Sequence, residues 1–477
     1  MVDVAIIGCG VIGAATAYAL ARYDCTILIL EAENDVAACT PKANSAILHA
    51  GYDPEPGTKM ARLNVEGVRM AAEICAALDV PRKPCGSLVV AFSKEELPAL
   101  QRLYDRGVAN GVPGQQLLDG PAVRALEPSL NKDAAGALYA PSAAIVNPWE
   151  YALAMAETAV KNGAVLRRDT RVTGIGKTPG GWLLHTTAGE VEARCIVNAA
   201  GLGAEALHDM VAPHRFTTKP SRGEYDLLDK SEGDRVRHVV FSVPTAAGKG
   251  VLVAPTVHGN CIVGPTAEPV VGDDTATTAA GIASLSASAR RSVPDVDLRA
   301  TIRSFAGVRA NTDQDDFIIE AAAPGFIDLA GIRSPGLSAA PAIGAEAVRL
   351  LAENGLPLRK KEHFDNTRQR LRFAALSEAE KAAVSQKDPA YGRVICRCET
   401  VTEGEILACL QTPIPPVSVD GVKRRVGTGM GRCQGGFCGP RVLEILSRAL
   451  HRPPQAVPQD KAGSTILFGE TKQKKGV

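Results

Sequence analysis

The apolar positions at the N-terminus predict a βαβ unit. Val4 to Ile7 form a continuous apolar run, which is typical of a strand buried on both faces of a parallel sheet. The Ala-rich segment from Ile12 to Tyr23 predicts a helix, and the run from Cys25 to Leu30 predicts the next strand. Because a helix between two strands is the usual parallel crossover, the chain is expected to begin with an α/β domain.

Three later segments favour a different kind of sheet. The stretches Val236 to Val240, Gly250 to Ala254 and Asn260 to Val263 are apolar or alternating, contain β-branched residues, and are bounded by Pro or Gly. Short strands of this kind, separated by turns, predict antiparallel pairing. They therefore indicate a second, β-rich domain.

The segment from Leu358 to Gly392 has the pattern of a linker. It opens with three basic residues, contains a helix-like stretch from Leu376 to Val384, and mixes acidic with basic side chains throughout. This mixture favours a solvated linker over a basic binding patch. The last residues, Lys472 to Val477, are expected to form a frayed tail.

Composition and charge narrow the class of protein. The chain has 477 residues, of which 45% are hydrophobic, enough for about three domains. Its net charge of +1 gives no reason to expect binding to nucleic acid or to an anionic membrane. No apolar run reaches about 18 residues and no signal-peptide pattern is present, so we expect a cytoplasmic protein without a transmembrane segment. Twelve cysteines are too sparse here for a disulfide scaffold.

A glycine-rich fingerprint follows the first predicted strand. Gly8, Gly10 and Gly13 have the spacing G-x-G-x-x-G, and Glu31 closes the second strand. In a βαβ unit the first two glycines allow a tight turn and the close approach of a pyrophosphate, the third lets the helix meet the strand, and the acid accepts hydrogen bonds from a ribose. The pattern predicts a dinucleotide site, and by itself it fits FAD and a nicotinamide dinucleotide equally.

Two pairs of cysteines near the C-terminus predict a metal site. Cys396 and Cys398 form a C-x-C pair, and Cys433 and Cys438 form a C-x-x-x-x-C pair in a glycine-rich stretch. Four thiols that a fold brings together bind metals, and glycines let backbone N–H groups approach the sulfurs. Such donors suit an anionic iron–sulfur cluster. Structural zinc is the alternative, because Cys₄ sites hold both metals.

The C-terminal motif resembles a known cluster-binding family. Val394 to Thr402, followed by the glycine-rich cysteine pair, is similar to the bacterioferritin-associated-ferredoxin-type domain. The resemblance implies that the four cysteines bind a [2Fe-2S] cluster.

The remainder of the chain resembles the D-amino-acid-oxidase-like flavoproteins, in the branch of FAD-dependent glycerol-3-phosphate dehydrogenases and L-2-hydroxyglutarate dehydrogenases. The similar segments are Pro41 to Tyr52, which in that family runs along the dinucleotide, and two flavin-facing strand ends, Ile196 to Gly201 and Ala330 to Ser338. The resemblance implies FAD as the cofactor. The residues expected to bind it are Gly8, Gly10, Gly13, Glu31, Asn44, Ser45, Val172, Ala200, Gly201, Gly331, Arg333, Gly336 and Leu337.

The same resemblance implies an α/β fold in which a Rossmann-type FAD-binding domain is interleaved with an antiparallel-sheet substrate domain, followed by a small C-terminal [2Fe-2S] domain. The expected boundaries are 1–80, 145–212 and 324–357 for the FAD-binding domain, 81–144 and 213–323 for the substrate domain, 358–389 for the linker, 390–453 for the [2Fe-2S] domain and 454–477 for the tail.

The expected chemistry is oxidation of a carbon that bears a hydroxyl or an amine. A flavin takes hydride from such a carbon when a base removes the heteroatom proton. His49 matches the family's substrate-facing histidine, and histidine suits proton transfer near neutrality. Arg309 matches the arginine that clamps a substrate carboxylate or phosphate. Arg222 is a weaker second cation candidate, and Arg333 is a candidate for contact with reduced flavin or substrate.

The sequence therefore predicts an FAD-dependent dehydrogenase of a small anionic alcohol, with glycerol 3-phosphate as the first candidate. Electrons would pass from FAD to the cluster and on to a redox partner subunit, through which any peripheral membrane association would occur. Three alternatives remain open: a dehydrogenase of L-2-hydroxyglutarate or another 2-hydroxy acid, an amine or imino-acid dehydrogenase of the hydroxyproline or opine type, and a non-catalytic electron-transfer subunit.

Overall fold

The computed structural model describes residues 1–244, 250–469, 471 and 472. The chain divides into two compact units. The first consists of Met1–Ala32 and Cys39–Arg368, and the second of Glu33–Ala38 and the chain from Gln369 onward.

The strands of the first unit belong to two large sheets and one small three-stranded sheet. In chain order they are Val2–Ile7 (β1), Ile27–Leu30 (β2), Ile47–Leu48 (β3), Arg82–Lys83 (β4), Ser87–Ala91 (β5), Gln116–Asp119 (β6), Gly136–Ala140 (β7), Ala144–Val146 (β8), Val165–Arg167 (β9), Val172–Thr178 (β10), Gly181–Thr186 (β11), Gly189–Asn198 (β12), Ser221–Leu228 (β13), Val239–Ser242 (β14), Leu252–Pro255 (β15), Cys261–Gly264 (β16), Glu268–Pro269 (β17), Thr301–Arg309 (β18), Ile318–Ala323 (β19) and Phe326–Ala330 (β20).

The helices of the first unit pack against both large sheets and against one another. They are Val11–Leu20 (α1), Lys59–Ala77 (α2), Leu97–Asn110 (α3), Gly120–Leu126 (α4), Pro148–Lys161 (α5), Ala204–His208 (α6), Ala279–Ser292 (α7) and Gly336–Glu353 (α8).

The first sheet contains the predicted βαβ unit. Strands β9, β2, β1, β12 and β20 lie side by side and parallel, while β10, β11 and β19 add antiparallel pairs at its margins. The side chains of β2 are all buried, as expected of a parallel strand with helices on both faces. Both predicted strands and the helix between them are confirmed, with ends that differ by up to three residues.

The second large sheet has the order β17, β13, β16, β15, β14, β5, β7, β6, with β18 paired to β13. The three segments predicted as strands between residues 236 and 263 form β14, β15 and β16, and these pair antiparallel. Among the described strands of this sheet, β14 and β5 form a parallel pair. The predicted antiparallel sheet is thus correct except at this pair.

The second unit is built around a small apolar core. Its strands are Val394–Cys396 (β21) and Val401–Thr402 (β22), and its helices are Glu378–Lys387 (α9), Glu403–Cys409 (α10), Val419–Val426 (α11) and Gly439–Ala449 (α12). Thr402 and Glu405 form a capping box that starts α10 directly after β22. The side chains of Ile406, Val422 and Val442 meet in the core, which fixes α10, α11 and α12 around the ends of the cysteine segments.

A buried ion-pair network also holds this unit together. The carboxylate of Asp35, which is fully buried, accepts hydrogen bonds from Arg424 at 3.0 Å and from Arg425 at 2.9 Å, and Arg424 also binds Asp460 at 2.7 Å. Burial disfavours the ionised carboxylate, but attraction to Arg425 and Arg424 outweighs it and lowers the pKa of Asp35 to about 2. The short segment after β2 is therefore an integral part of the second unit.

Two expectations about the C-terminal half need correction. The segment 358–389 is not a uniform solvated linker, because the side chain of Arg368 is largely buried in the first unit and binds Glu150 at 3.1 Å and Glu157 at 2.8 Å. The segment 454–477 is not a tail throughout, since Val457 is fully buried in the second unit's core. Both segments consist mostly of polar or charged residues and prolines, so neither buried side chain was predicted. Of the end expected to fray, residues 473–477 lie outside the described part of the chain.

Candidate functional site

The glycine loop after β1 has the geometry that a dinucleotide needs. A Cβ atom on Gly13 would lie 1.9 Å from the carbonyl oxygen of Gly8, and one on Gly8 would lie 2.6 Å from that of Ala199. At Gly10 the nearest atom would be 3.8 Å away, so this position is open. The N-terminus of α1 begins there, and its free backbone N–H groups attract a phosphate.

The acid at the end of β2 reaches the same loop. The carboxylate of Glu31 accepts a hydrogen bond from the backbone N–H of Cys9 at 2.7 Å. The backbone carbonyl of Glu31 accepts one from the backbone N–H of Thr170 at 2.8 Å. The carboxylate therefore lies beside the loop, where the ribose of a dinucleotide on this βαβ unit would be within its reach.

Asn44 shapes the segment that follows. Its amide nitrogen donates to the carbonyl of Pro41 at 2.8 Å, and its amide oxygen accepts from the backbone N–H of Ala46 at 2.8 Å. Ala46 has a φ of 59°, so the side chain of Asn44 stabilises a turn that the backbone alone disfavours. The hydroxyl of Ser45 lies 3.4 Å from that of Tyr225 on β13.

The turn after β20 contains the other group of predicted flavin contacts. Gly331 has a φ of 62°, and the backbone N–H of Gly336 donates to the carbonyl of Arg333 at 2.6 Å just where α8 begins, before Leu337. The guanidinium of Arg333 donates to the carbonyls of Gln314 and Asp315, so this side chain is directed to the loop between β18 and β19.

A buried network that the sequence did not reveal anchors the end of β12. Asn198 donates to Asp328 at 2.7 Å and to the carbonyl of Ala204, and His208 contacts the other oxygen of Asp328 at 2.6 Å. Burial raises the pKa of Asp328, which the bonds from His208 and Asn198 oppose. The network holds the turn that carries two predicted cofactor residues, Ala200 and Gly201. Val172 begins β10, the outermost strand on that side.

Two hydrogen bonds fix the backbone of His49 and so define the position of its ring. Its N–H donates to the hydroxyl of Ser338 at 2.7 Å, and its carbonyl accepts from the amide of Asn64 at 2.8 Å. Both side chains are fully buried. The imidazole lies against Phe241 of β14, with 5.8 Å between ring centroids. Neither supporting role was predicted, because the contacts of His49 with Asn64 and Ser338 span 15 and 289 residues and leave no local signal in the sequence.

The imidazole lines a small, mostly apolar cleft. The other lining residues are Tyr52, Asp53, Val89, Leu103, Phe241, Ser242 and Pro244. Tyr52 is buried, and burial raises the pKa of its hydroxyl, so Tyr52 is unsuited to accept or release a proton near neutrality. His49 is the residue in this lining whose side-chain type suits proton transfer at neutral pH.

Residues 43–49 cross the second sheet from β18 to β14. A Cβ atom on Gly307 of β18 would lie 1.9 Å from the carbonyl oxygen of Ala43. Ser45 then meets Tyr225 of β13, and His49 meets Phe241 of β14. The predicted flavin-proximal segment therefore lies on this sheet, with Arg309 near its beginning and His49 at its end.

Arg309 and Arg222 lie on opposite faces of the sheet. Ser221 pairs with Arg309 and Arg222 pairs with Val308, so adjacent positions along β13 point to opposite sides. The guanidinium of Arg309 extends over Gly223, where a Cβ atom would lie 2.3 Å from Nη2, and it donates to the carbonyl of Thr266 at 3.1 Å. Thus Arg309 shares its face with Gly307 and residues 43–49.

On the other face of the sheet, Arg222 forms an ion pair. Its side chain is largely buried and pairs with Asp274 at 2.9 Å. The structure therefore does not bring Arg222 together with the segment that carries His49.

The four predicted cysteine ligands lie together in the second unit. Sγ of Cys398 is 3.7 Å from Sγ of Cys433, and the thiol of Cys438 hydrogen bonds to Cys396, which lowers the pKa of Cys396 to about 6. Cys396 and Cys438 are buried, Cys433 is half-buried and Cys398 is exposed. The site thus has one inner and one outer pair of sulfurs.

Backbone N–H groups surround these sulfurs, as the glycine-rich sequence predicted. Those of Gly429 and Glu399 donate to Cys396, and those of Phe437 and Gly435 donate to Cys433, whose pKa they lower. Four thiols with converging donors match the requirements of an anionic iron–sulfur cluster. The residues present therefore fit the [2Fe-2S] cluster that the sequence favoured over zinc.

Comparison with known proteins identifies both parts of the chain. Residues 3–350 match the family model described as FAD dependent oxidoreductase, and residues 394–448 match the model described as BFD-like [2Fe-2S] binding domain. The cofactors are accordingly FAD and a [2Fe-2S] cluster. In the described part of the chain, no helix has the length and apolarity that crossing a bilayer requires.

Several relatives share most of this architecture. The chain is 46% identical over 477 residues to a glycerol 3-phosphate dehydrogenase of Caloramator mitchellensis, covering 99% of each protein. It is 35% identical to a glycerol 3-phosphate oxidase of Mycoplasma pneumoniae, covering 73% of this chain and 94% of the relative. A solved structure of dithionite-reduced L-alpha-glycerophosphate oxidase from Mycoplasma pneumoniae with FAD bound has a TM-score of 0.73 and 34% identity, covering 77% of this chain and 98% of that one. This chain therefore belongs to the FAD-dependent oxidoreductase family and carries a BFD-like [2Fe-2S] domain.

Proposed function

We propose that this protein is a dehydrogenase of glycerol 3-phosphate. The observation that carries the proposal is the course of residues 43–49 across the second sheet, which connects the face of Arg309 with the cleft of His49. Such a substrate requires two groups: a base that accepts its hydroxyl proton and a planar guanidinium that binds its phosphate. The names of the relatives, dehydrogenase and oxidase of glycerol 3-phosphate, support the same substrate.

In this proposal the protein positions the substrate and moves its proton. Nε2 or Nδ1 of His49 accepts the proton of the substrate hydroxyl, while the buried hydroxyl of Ser338 and the amide of Asn64 keep the His49 backbone in place. Arg309 binds the phosphate through its planar guanidinium. FAD, held by the glycine loop and Glu31, supplies the hydride acceptor when it is bound.

The experiment that tests this function is anaerobic reduction of the flavin by a panel of substrates. We expect glycerol 3-phosphate to bleach the visible flavin absorbance of the purified holoenzyme fastest at equal concentration. L-2-hydroxyglutarate, L-lactate and hydroxyproline represent the other candidate classes. Faster bleaching by one of these would assign the protein to that class, and no bleaching by any of them would favour the electron-transfer subunit.

Replacing Arg309 should weaken substrate binding. Arg309→Lys keeps the charge but loses the bidentate fork, and Arg309→Ala loses both, so we expect binding weaker by roughly 2 to 4 kcal/mol for the alanine variant and an intermediate loss for lysine. The measurement is the substrate concentration that gives half-maximal flavin reduction.

Two further variants serve as controls for that result. Gly223→Ala should displace the guanidinium of Arg309 without removing it, and should therefore also raise the half-saturating concentration. Arg222→Gln, on the other face, should leave this concentration close to that of the parent. If Arg222→Gln has the larger effect, the substrate anion is bound by Arg222.

We further propose that the enzyme works in the cytoplasm and passes its electrons to a redox partner. The BFD-like domain supports this route, because a [2Fe-2S] centre carries electrons one at a time, whereas an oxidase can return both electrons from flavin to oxygen without iron.

A further inference from the structure

The exposure of the cysteine site is asymmetric. Cys396 and Cys438 are buried in the core of the second unit, whereas Cys398 is exposed and Cys433 is half-buried. Electron transfer between proteins requires close approach of the two redox centres. The outer pair, Cys398 and Cys433, therefore marks the side of the site that a partner can approach.

The side chains around this outer pair have the composition of a docking surface. Arg397 precedes Cys398 and Arg432 precedes Cys433, and both arginines are exposed. Phe437 is 76% exposed, while its backbone N–H donates to the sulfur of Cys433. Arginines and aromatic residues are enriched at the centres of protein interfaces. Burial of so exposed a phenylalanine against a partner is favourable, because it removes apolar surface from water.

The charge of this surface selects the kind of partner. Its exposed charged side chains next to the ligands are both basic, and the nearest acid in these segments, Glu399, is half-buried beside Gly431. We propose that the surface formed by Cys398, Cys433, Arg397, Arg432 and Phe437 docks a small protein electron carrier whose own redox centre is surrounded by acidic residues. Complementary charge would speed the encounter, and Phe437 would be buried in the complex.

The electron balance fits repeated, short encounters. Oxidation of one substrate hydroxyl releases two electrons, so two carrier molecules dock in turn, and each leaves with one electron. Such encounters use small interfaces, below about 1,200 Å² in total. The inference rests on the proposed dehydrogenase function, because an oxidase would need no protein acceptor.

Binding of the holoenzyme to a purified acidic flavodoxin, measured by calorimetry at two salt concentrations, tests this surface. We expect binding that weakens with salt, and a loss of affinity of about tenfold or more in the Arg397→Glu, Arg432→Glu double variant. Phe437→Ser should weaken binding at both salt concentrations. A basic cytochrome c should instead bind the double variant more tightly than the parent.

The matched control is Arg448→Glu, the same charge reversal near the other end of α12, about 15 Å from Cys438 along the helix. It should bind flavodoxin as the parent does. Visible absorbance checks that each variant retains its cluster, and the milder Arg397→Gln, Arg432→Gln pair replaces the double variant if that one loses iron. Equal flavodoxin affinity in parent and surface variants, or equal losses in the Arg448→Glu control, would overturn the proposal.

A second measurement separates this inference from the function on which it rests. Anaerobic flavin reduction by glycerol 3-phosphate needs no carrier, so it should be unchanged in the Arg397, Arg432 and Arg448 variants. If flavin reduction fails already in the parent, the proposed function is wrong. If it proceeds normally but the surface variants bind flavodoxin as the parent does, the docking surface alone is wrong. If the two arginines serve only to offset the charge of the cluster, replacing them would change its reduction potential without changing the affinity for flavodoxin.

Discussion

His49→Asn should retain bound flavin and lose most of the rate at which substrate reduces it. Asparagine cannot accept the hydroxyl proton, and loss of a general base costs about two to four orders of magnitude in rate. Flavin should stay bound because Ser338 and Asn64 hold the backbone of residue 49 through its N–H and carbonyl groups, which the substitution keeps. The measurement is anaerobic stopped-flow reduction with glycerol 3-phosphate, with flavin content determined on the same sample.

A surface histidine provides the control for this variant. His185 on β11 is exposed and pairs with Glu190 at 3.0 Å, so His185→Asn should reduce at the parent's rate. Parent-like reduction in His49→Asn would remove His49 from the mechanism. A slow rate that is accompanied by flavin loss would instead assign His49 to cofactor binding.

Asp35→Asn should strongly destabilise the second unit. The substitution leaves two buried guanidinium groups without their shared carboxylate, and removal of one partner from a buried ion pair costs about 3 to 5 kcal/mol. Asp460 still compensates Arg424, so Arg425 bears most of the loss. We expect the urea midpoint for loss of cluster absorbance to fall by more than 1 M, given a slope of about 1 to 3 kcal/mol per M.

The difference in stability between the parent and Asp35→Asn should depend on pH, because the pKa of Asp35 is lowered in the folded protein. A carboxyl with a pKa of about 2 in the folded protein and 3.8 otherwise contributes stability above pH ~4, and that contribution is lost as pH falls towards 2. The difference between parent and variant should shrink over this range. Glu444→Gln, in the exposed pair with Arg441 on α12, is the control and should change the midpoint little. An Asp35→Asn midpoint equal to that of Glu444→Gln would show that the network is not stabilising.

Local pattern was sufficient for the elements that carry cofactors. The buried run at Val4 to Ile7 and the spacing of Gly8, Gly10 and Gly13 each reflect one backbone requirement within a few residues, and the structure has the strand, turn and helix that they predict. The same holds for the paired cysteines, because C-x-C and C-x-x-x-x-C spacings within glycine-rich loops constrain the chain locally.

Long-range contacts were beyond such reasoning. Arg368 and Asp35 looked like ordinary charged residues in polar stretches, yet the side chain of each is largely or fully buried against partners at least a hundred residues away. The support of His49 by Ser338 is of the same kind. Nothing in the neighbouring sequence distinguishes a buried ion pair from a solvated one, since the side chains are identical and only the desolvation differs.

The sequence by itself thus determined the family and the two cofactors, because each depends on short motifs with fixed spacing. The tertiary structure decided which charges are buried and on which face each arginine lies. Arg222 and Arg309 were both candidates for the substrate anion in the sequence, and the register of β13 with β18 places them on opposite sides. A register shift of one residue would exchange those faces, and pairing register arises from the whole sheet rather than from either strand.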